Sequence, residues 1–313
     1  MDDKAFLAKL VPGYKGIAQN WECDINNHLN VSHFFGRSSD HAFYMRHALG
    51  LSPRQMVADA RGTVALEEHA RFHREVRAGG MMVGRSAPVE IGEKTMTVYH
   101  EFRDQKDNLL TSFKTIIGHF DLEARRLTPW RDETLARAQA LRIELPDHAA
   151  PKFVARGRPA KPIALTQTLS DGFFRSGGNG INAWECDQFG HLNTMFYIRR
   201  QTEAVPHFWE ELGFDLKRIV TGGNGFVVGE MRVSYLSELR EGDMVDTYSA
   251  VREVDDKTVL AEHRMYNVET GDLSARTVTR AVFFDSQTRR ACPWPDDMRA
   301  KLEARCINMT PVD

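Results

Sequence analysis

The chain has 313 residues, 42% hydrophobic and 27% charged, which leaves room for a packed core in each half. Its formal net charge is −2 with both signs interspersed, so it offers no basic field to nucleic acid or to an anionic membrane. No apolar run nears the ~18 residues of a membrane span, the start lacks signal-peptide character, and four cysteines without a Cys-x-x-Cys pair give neither a disulfide framework nor a zinc ribbon. The cytoplasm is the expected compartment.

In chain order, the first marked feature is the run Trp21-Glu22-Cys23-Asp24-Ile25-Asn26-Asn27-His28-Leu29-Asn30. It reads as an apolar strand ending at Asp24, with Cys23 a small buried hydrophobe. Phe34–Leu49 then carries apolar residues at helical spacing and stops at Gly50, a suitable left-handed terminator. Strand-like runs come next over Thr63–Phe72, Met81–Ile91, Thr95–Phe102 and Leu109–Phe120, joined by Gly-containing turns such as Ala78-Gly79-Gly80. The spacing leaves no room for crossover helices, which predicts an antiparallel meander of four or five strands. Arg131–Leu145 reads as a helix, and Pro146, Pro151, Pro159 and Pro162 then forbid regular structure up to Leu165.

The plan then repeats. Trp184-Glu185-Cys186-Asp187-Gln188-Phe189-Gly190-His191-Leu192-Asn193 matches the first run at seven of ten positions, 163 residues later. The next ten positions share only Arg37/Arg200. The offset holds through Gly62/Gly225, Glu67/Glu230, Glu75/Glu238 and Gly79/Gly242, then becomes 164 up to Pro129-Trp130/Pro293-Trp294. A second helix is expected over Met195–Leu212, with Pro206 as a point of kinking, and strands over Gly225–Tyr235, Met244–Val254, Thr258–Tyr266 and Leu273–Phe284. A final helix covers Asp296–Arg305. The expected division is therefore residues 1–145, a Pro-rich linker at 146–165, and residues 166–313.

Two copies that have drifted apart elsewhere agree on Asp, His and Asn, which fold alone does not require. Extended to Tyr197, the second copy reads Trp184-Glu185-Cys186-Asp187-Gln188-Phe189-Gly190-His191-Leu192-Asn193-Thr194-Met195-Phe196-Tyr197. It resembles the Asp-x-x-Gly-His-x-Asn-Asn-x-x-Tyr signature of hot-dog-fold acyl-CoA thioesterases, in particular the 4-hydroxybenzoyl-CoA thioesterase-like branch. The resemblance implies an α+β chain of two tandem hot-dog domains, each a long helix wrapped by a curved antiparallel sheet. It implies a thioester hydrolase acting on an acyl-CoA, with coenzyme A as part of the substrate and no separate cofactor or metal. The two halves would form an internal pseudo-dimer, joined edge to edge with Asp24 and Asp187 at the seam; further homo-oligomerisation stays open. No nucleic-acid or membrane partner is expected.

Thioester hydrolysis needs a group to activate water or attack the carbonyl, and donors for the developing oxyanion. By the resemblance, Asp24 and Asp187 are base or nucleophile, and His28, His191, Asn30 and Asn193 orient the aspartate, the water or the loop. Main-chain N–H groups near Val31 and Thr194, at a helix N-terminus, polarise the carbonyl. Gly190, Tyr197 and Phe34 complete the substrate-binding set. Asp and Asn are also common turn formers and N-caps, and that plainer reading competes directly for Asn30 and Asn193. The first copy departs from the signature at Asn27, Val31 and Phe34 and the second at Thr194, so more activity is expected from the second, where glycine supplies both dihedral freedom and clearance.

Other polar residues read more plainly. Glu67 and Glu230 recur on a strand next to the expected cleft, where a solvent-facing strand-edge position is the commoner explanation. Asp40 and Glu203 suit ion pairs with Arg37 and Arg200 one helical turn away, although some hot-dog enzymes carry a catalytic carboxylate on this helix. Arg77, Arg240, Lys94 and Lys257 suit solvated turns or coenzyme A phosphates. Gly177–Gly180 and Gly222–Gly225 read as flexible loops, and His33, His41, His47, His69 and His73 have no metal-site spacing. Two other functions fit the same residues: a hot-dog hydratase or dehydratase, faintly suggested by Asp24-x-Asn26-x-His28, and a non-catalytic acyl-CoA or acyl-carrier binding module.

Overall fold

The computed structural model describes residues 3–152, 154 and 161–307. The chain divides into two compact units, Met1–Ala150 and Pro151–Asp313. Part of the expected linker, residues 153 and 155–160 with Pro159 among them, lies outside the described residues.

Unit one contains α1 (Asp3–Leu7), β1 (Val11–Ile17), α2 (Val31–Ala48), α3 (Pro53–Ala58), β2 (Arg61–Phe72), β3 (Met81–Ile91), β4 (Thr95–Arg103), β5 (Leu109–Asp121), β6 (Arg126–Leu127) and α4 (Asp132–Leu141). Unit two has the same order with α5 (Leu165–Ser170), β7 (Phe174–Gly180), α6 (Thr194–Glu211), α7 (Leu216–Thr221), β8 (Asn224–Tyr235), β9 (Met244–Val254), β10 (Thr258–Asn267), β11 (Leu273–Asp285), β12 (Arg290–Ala291) and α8 (Asp296–Ala304). The strand order is β1-β3-β4-β5-β2 in unit one and β7-β9-β10-β11-β8 in unit two, antiparallel throughout. Only the last three long strands of each unit form a meander. The first of the four predicted strands pairs with the last, and a fifth strand from before the motif closes the other side. Each unit is a long helix on an antiparallel sheet, the hot-dog arrangement.

The two long helices stop as their glycines require. Gly50 has φ +77° and Gly213 φ +81°. The N–H of Leu51 donates to the Arg46 carbonyl (2.8 Å) and that of Gly50 to His47 (3.0 Å); Phe214→Trp209 (3.0 Å) and Gly213→Glu210 (2.8 Å) repeat the pattern. These bonds close Schellman caps, satisfying carbonyls that the helix end leaves open. Pro206 lies inside α6, which continues to Glu211.

Nothing periodic in the sequence marks β1 and β7, because glycine interrupts their alternation. The glycines are there for proximity: a Cβ at Gly13 would collide with Nδ1 of His41, and one at Gly177 would stand 2.9 Å from the Ala204 Cβ. The long helix passes too near for a side chain, so Gly177–Gly180 is strand rather than flexible loop. The expected helix over 131–145 ends early. Arg142 is extended (φ −63°, ψ 139°) and the Ile143 N–H donates to the Pro88 carbonyl at 3.0 Å, so strand contact takes over before Pro146.

The cores lie between helix and sheet. In unit one, Phe35 packs edge-on to Phe113 (5.1 Å) and Met45 and Leu49 join Met96 and Val98. In unit two, Phe208, Trp209 and Leu212 meet Val251, Val259 and Phe283. At roughly 2 kcal/mol per buried large apolar side chain, these contacts dominate what holds each helix down.

Candidate active site

Each repeat of the motif folds into the same loop. Asn20–Glu22 and Ala183–Glu185 are single 3₁₀ turns rather than the ends of apolar strands. The chain then makes one bridge, Cys23 to Leu29 and Cys186 to Leu192, before entering the long helix. Both cysteines are half-buried, less than their apolar-strand reading required. Oδ1 of Asp24 accepts the N–H groups of Asn26 (2.8 Å) and His28 (3.1 Å). Oδ1 of Asp187 accepts those of Phe189 (2.8 Å) and His191 (3.1 Å). One carboxylate oxygen therefore closes an Asx turn, while Oδ2 makes no hydrogen bond among the described residues. Asp24 is exposed and Asp187 half-buried.

The turn needs a left-handed residue at its third position. Asn27 takes φ 58° and Gly190 φ 76°. A Cβ at Gly190 would meet nothing within 4 Å, so glycine is there for its dihedral and not for clearance. The steric reason to favour the second site therefore falls away.

Asn30 and Asn193 are the N-caps of α2 and α6. Oδ1 of Asn30 accepts from the Ser32 N–H (3.0 Å) and hydroxyl (2.8 Å), and that of Asn193 from the Met195 N–H (3.1 Å). The N–H groups of His33 and Phe196 turn to the cap carbonyls at 3.0 and 2.9 Å. That leaves the first-turn N–H groups of Val31 and Thr194 without an acceptor among the described residues, at the positive end of an 18-residue helix.

His28 and His191 do not turn their rings to the aspartates. The main-chain N–H holds the carboxylate, and the imidazole Nε2 faces a carboxylate from the segment after β2 or β8: Glu75 at 3.2 Å and Glu238 at 3.3 Å. In unit two, Arg240 also reaches His191 Nε2 at 2.9 Å. The Leu29 N–H to Val76 carbonyl bond (2.7 Å) and the Leu192 to Leu239 bond (2.8 Å) fasten the loop to the same segment. Glu75 and Glu238 were legible only as one more pair at constant offset; nothing local in sequence marks them as partners of the motif.

A buried ion pair secures the base of the loop. Glu22 accepts from Arg37 at 2.5 Å, and Glu185 from Arg200 at 2.6 and 3.2 Å. Arg200 also donates to the Gly180 carbonyl of β7 at 2.7 Å, tying loop, strand and helix together. Burial pushes both carboxyls up, but hydrogen bonds from the arginine and from the Gln19 or Asn182 N–H outweigh it and hold them below the ordinary range. This corrects the i,i+3 pairing for Glu203, which pairs with Arg199 instead (3.0 Å); Asp40 makes no hydrogen bond to Arg37 among the described residues but feels its charge, which opposes the upward push of burial on the Asp40 carboxyl.

Phe34 and Tyr197 enter the core one turn into each helix. Phe34 packs edge-on to Phe72 at 5.5 Å, and Tyr197 to Tyr235 at 5.1 Å. Burial pushes the Tyr197 hydroxyl well above its ordinary pKa, so it stays protonated. Glu230 is 1% exposed and accepts the N–H groups of Lys152 and Val154 (both 3.1 Å), so it pins the connecting segment rather than facing solvent. Glu67 is half-buried beside a bulge in β2. His41 is sealed in the core on Ser86 (2.9 Å), His69 lies in β2, and among the described residues no group of three His, Cys, Asp or Glu has metal-holding geometry. No helix among them is long and apolar enough to cross a membrane.

Residues 18–138 and 181–302 each match the family model of the thioesterase-like superfamily. The chain belongs to that superfamily. A chloroplast acyl-acyl carrier protein thioesterase of Arabidopsis thaliana is 21% identical over 122 residues, 39% of this chain and 64% of its own length. The chain thus spans just under two thirds of that relative. A betainyl-CoA thioesterase of Pseudomonas aeruginosa is 23% identical over 118 residues, 38% of this chain and 74% of its own length. Two solved structures share the tandem fold: an acyl-ACP thioesterase from Bacteroides thetaiotaomicron (TM-score 0.64, 12% identity, 88% of this chain and 98% of that one) and a 12:0-ACP thioesterase from Umbellularia californica (TM-score 0.64, 14%, 90% and 97%).

Proposed function

We propose that this thioesterase-family chain hydrolyses an acyl-CoA thioester to the free acid and coenzyme A, with Asp24 and Asp187 acting on the carbonyl. The observation that supports this most is that, in both units, the motif carries an unengaged carboxylate oxygen and, seven residues on, an unengaged N–H at the head of a long helix. As general base, Oδ2 takes a proton from water while the water oxygen bonds to the thioester carbon. The carbonyl electrons move onto oxygen, where the N–H of Val31 or Thr194 and the helix dipole stabilise the charge. Collapse re-forms the carbonyl and breaks the C–S bond, and the sulfur leaves with the proton that Asp held. As nucleophile, Asp would bond to the thioester carbon and expel the coenzyme A thiolate, which takes a proton from solvent; water would then cleave the mixed anhydride to the free acid and the regenerated aspartate.

The Asx turn holds the aspartate in one rotamer, and the His28–Glu75 and His191–Glu238 pairs stiffen the loop that carries it. Coenzyme A rather than an acyl carrier protein is the favoured thiol carrier, in line with the Pseudomonas relative; the plant relative makes the carrier-protein thioester the comparison to run. The test is thiol release across short, long, branched and aryl acyl-CoAs, with enoyl-CoA hydration measured in parallel. Release of free thiol from at least one class supports hydrolysis. Hydration without thiol release, or ligand-induced stabilisation without turnover, would replace it with the hydratase or the binding module.

A further inference from the structure

Seven positions of the motif are identical between the two units, and six have a use within their own unit. Glu22 and Glu185 bind arginine, Cys23 and Cys186 make the bridge, and Asp24 and Asp187 close the turn. The histidine meets a glutamate, Leu29 and Leu192 are core at 4% and 5% exposure, and the asparagine caps the helix. The tryptophan has no such use. Trp21 is 79% exposed and Trp184 is 74% exposed, although tryptophan is the side chain that gains most from burial. An indole kept in two diverged copies, with its faces in solvent three residues from the aspartate, is best accounted for by something that arrives from solution.

We propose that Trp21 and Trp184 are stacking platforms for the adenine of the coenzyme A portion of the substrate, an inference that rests on the acyl-CoA reading above. A flat π-face recognises a flat base without needing a matched hydrogen-bond pattern. The neighbouring charges fit the rest of a nucleotide. The segment stitched to the motif by the Leu29–Val76 and Leu192–Leu239 bonds carries Arg77 and Arg240 on its exposed side. Arg77 makes no side-chain hydrogen bond or ion pair among the described residues, and Arg240, 54% exposed, keeps donors beyond those turned to His191 and Glu238. Guanidinium groups on the segment bonded to the tryptophan-bearing loop complement a pyrophosphate or a 3′-phosphate. The thioester end goes to the aspartate, and the nucleotide end remains at the surface.

The experiment compares the full chain with Trp21→Leu/Trp184→Leu and Trp21→Phe/Trp184→Phe. Both residues are exposed, so the circular dichroism melt of each variant should match the parent. Calorimetric titration with coenzyme A alone should show affinity falling about tenfold or more in the leucine variant and partly restored by phenylalanine. KM for an acyl-CoA should rise in step with kcat unchanged, whereas KM for the acyl-pantetheine lacking the nucleotide should not move. Unchanged coenzyme A affinity, or an equal KM shift for both thioesters, overturns the proposal. So does a loss confined to acyl-carrier-protein thioesters, which would make the indoles protein contacts. If no thioester is hydrolysed yet coenzyme A binding depends on the tryptophans, hydrolysis falls and the stacking site stands.

Discussion

Replacing Arg200 by methionine should be among the most damaging single changes in unit two, for a reason outside its own helix. The Arg200 and Glu185 side chains are 3% and 4% exposed, so removal of the cation leaves a carboxylate with little water to take its place. The Gly180 carbonyl of β7 loses its guanidinium donor in the same step. Breaking a buried pair from one side costs about 3–5 kcal/mol, a large share of the ~5–15 kcal/mol that a domain has. Glu203→Ala removes an exposed i,i+4 partner of Arg199 and an exposed acceptor of the Asn179 amide, and should cost no more than about 1 kcal/mol. Urea unfolding at pH 7, monitored by far-UV circular dichroism, separates the two values. Adding Glu185→Gln to Arg200→Met should recover part of the loss, because the buried charge is then gone. Equal costs for Arg200→Met and Glu203→Ala, or a loss below about 1 kcal/mol for Arg200→Met, would refute the buried-pair reasoning.

The same geometry sets three further outcomes. Gly190→Asn should keep stability within about 0.5 kcal/mol and retain thiol release, since Asn27 already holds this dihedral and the space beside Gly190 is open; Gly190→Val should cost about 1–2 kcal/mol by thermal melt. Asn193→Ala removes the α6 cap and should cost ~1 kcal/mol in urea unfolding. Burial holds His41 and His263 at a pKa of about 4 against the ordinary 6.5, so both are neutral in the folded chain and the unfolded chain binds more protons between those values. Stability is therefore full above about pH 6.5 and lost as pH falls toward 4, by roughly 3 kcal/mol per histidine; urea midpoints from pH 7 to 4.5 should fall, and the slope should flatten in His41→Gln.

What the sequence made legible was what repeats or has a local period. The long helices, their terminal glycines and the four later strands of each unit could be read because burial imposes a 3.6- or 2-residue period and turns impose glycine. β1 and β7 were illegible because glycines required by the passing helix erased their alternation. Arg37 and Arg200 stood out as the one shared residue in their stretch, yet sequence proximity suggested Asp40 and Glu203, whereas the partner sits fifteen residues upstream on a loop that folds back. Glu75 and Glu238 show the same limit: the offset flagged them, but only the folded chain brings them to the histidine. Asn30 and Asn193 were open between cap and catalytic group, and their side chains are engaged as caps.

The measurement closest to the central claim is thiol release by Asp24→Asn, Asp187→Asn and the double variant, on the best acyl-CoA found in the screen. The two loops have matching hydrogen bonds, so each single variant should leave about half the activity if both sites work, and Asp187→Asn alone should take nearly all of it if Phe34 disables the first. The double variant should lose roughly 10²–10⁴-fold in kcat. Each Asn keeps a carbonyl oxygen for the turn, so the melt should hold. Full activity in a folded double variant would contradict the account and move the chemistry to other residues.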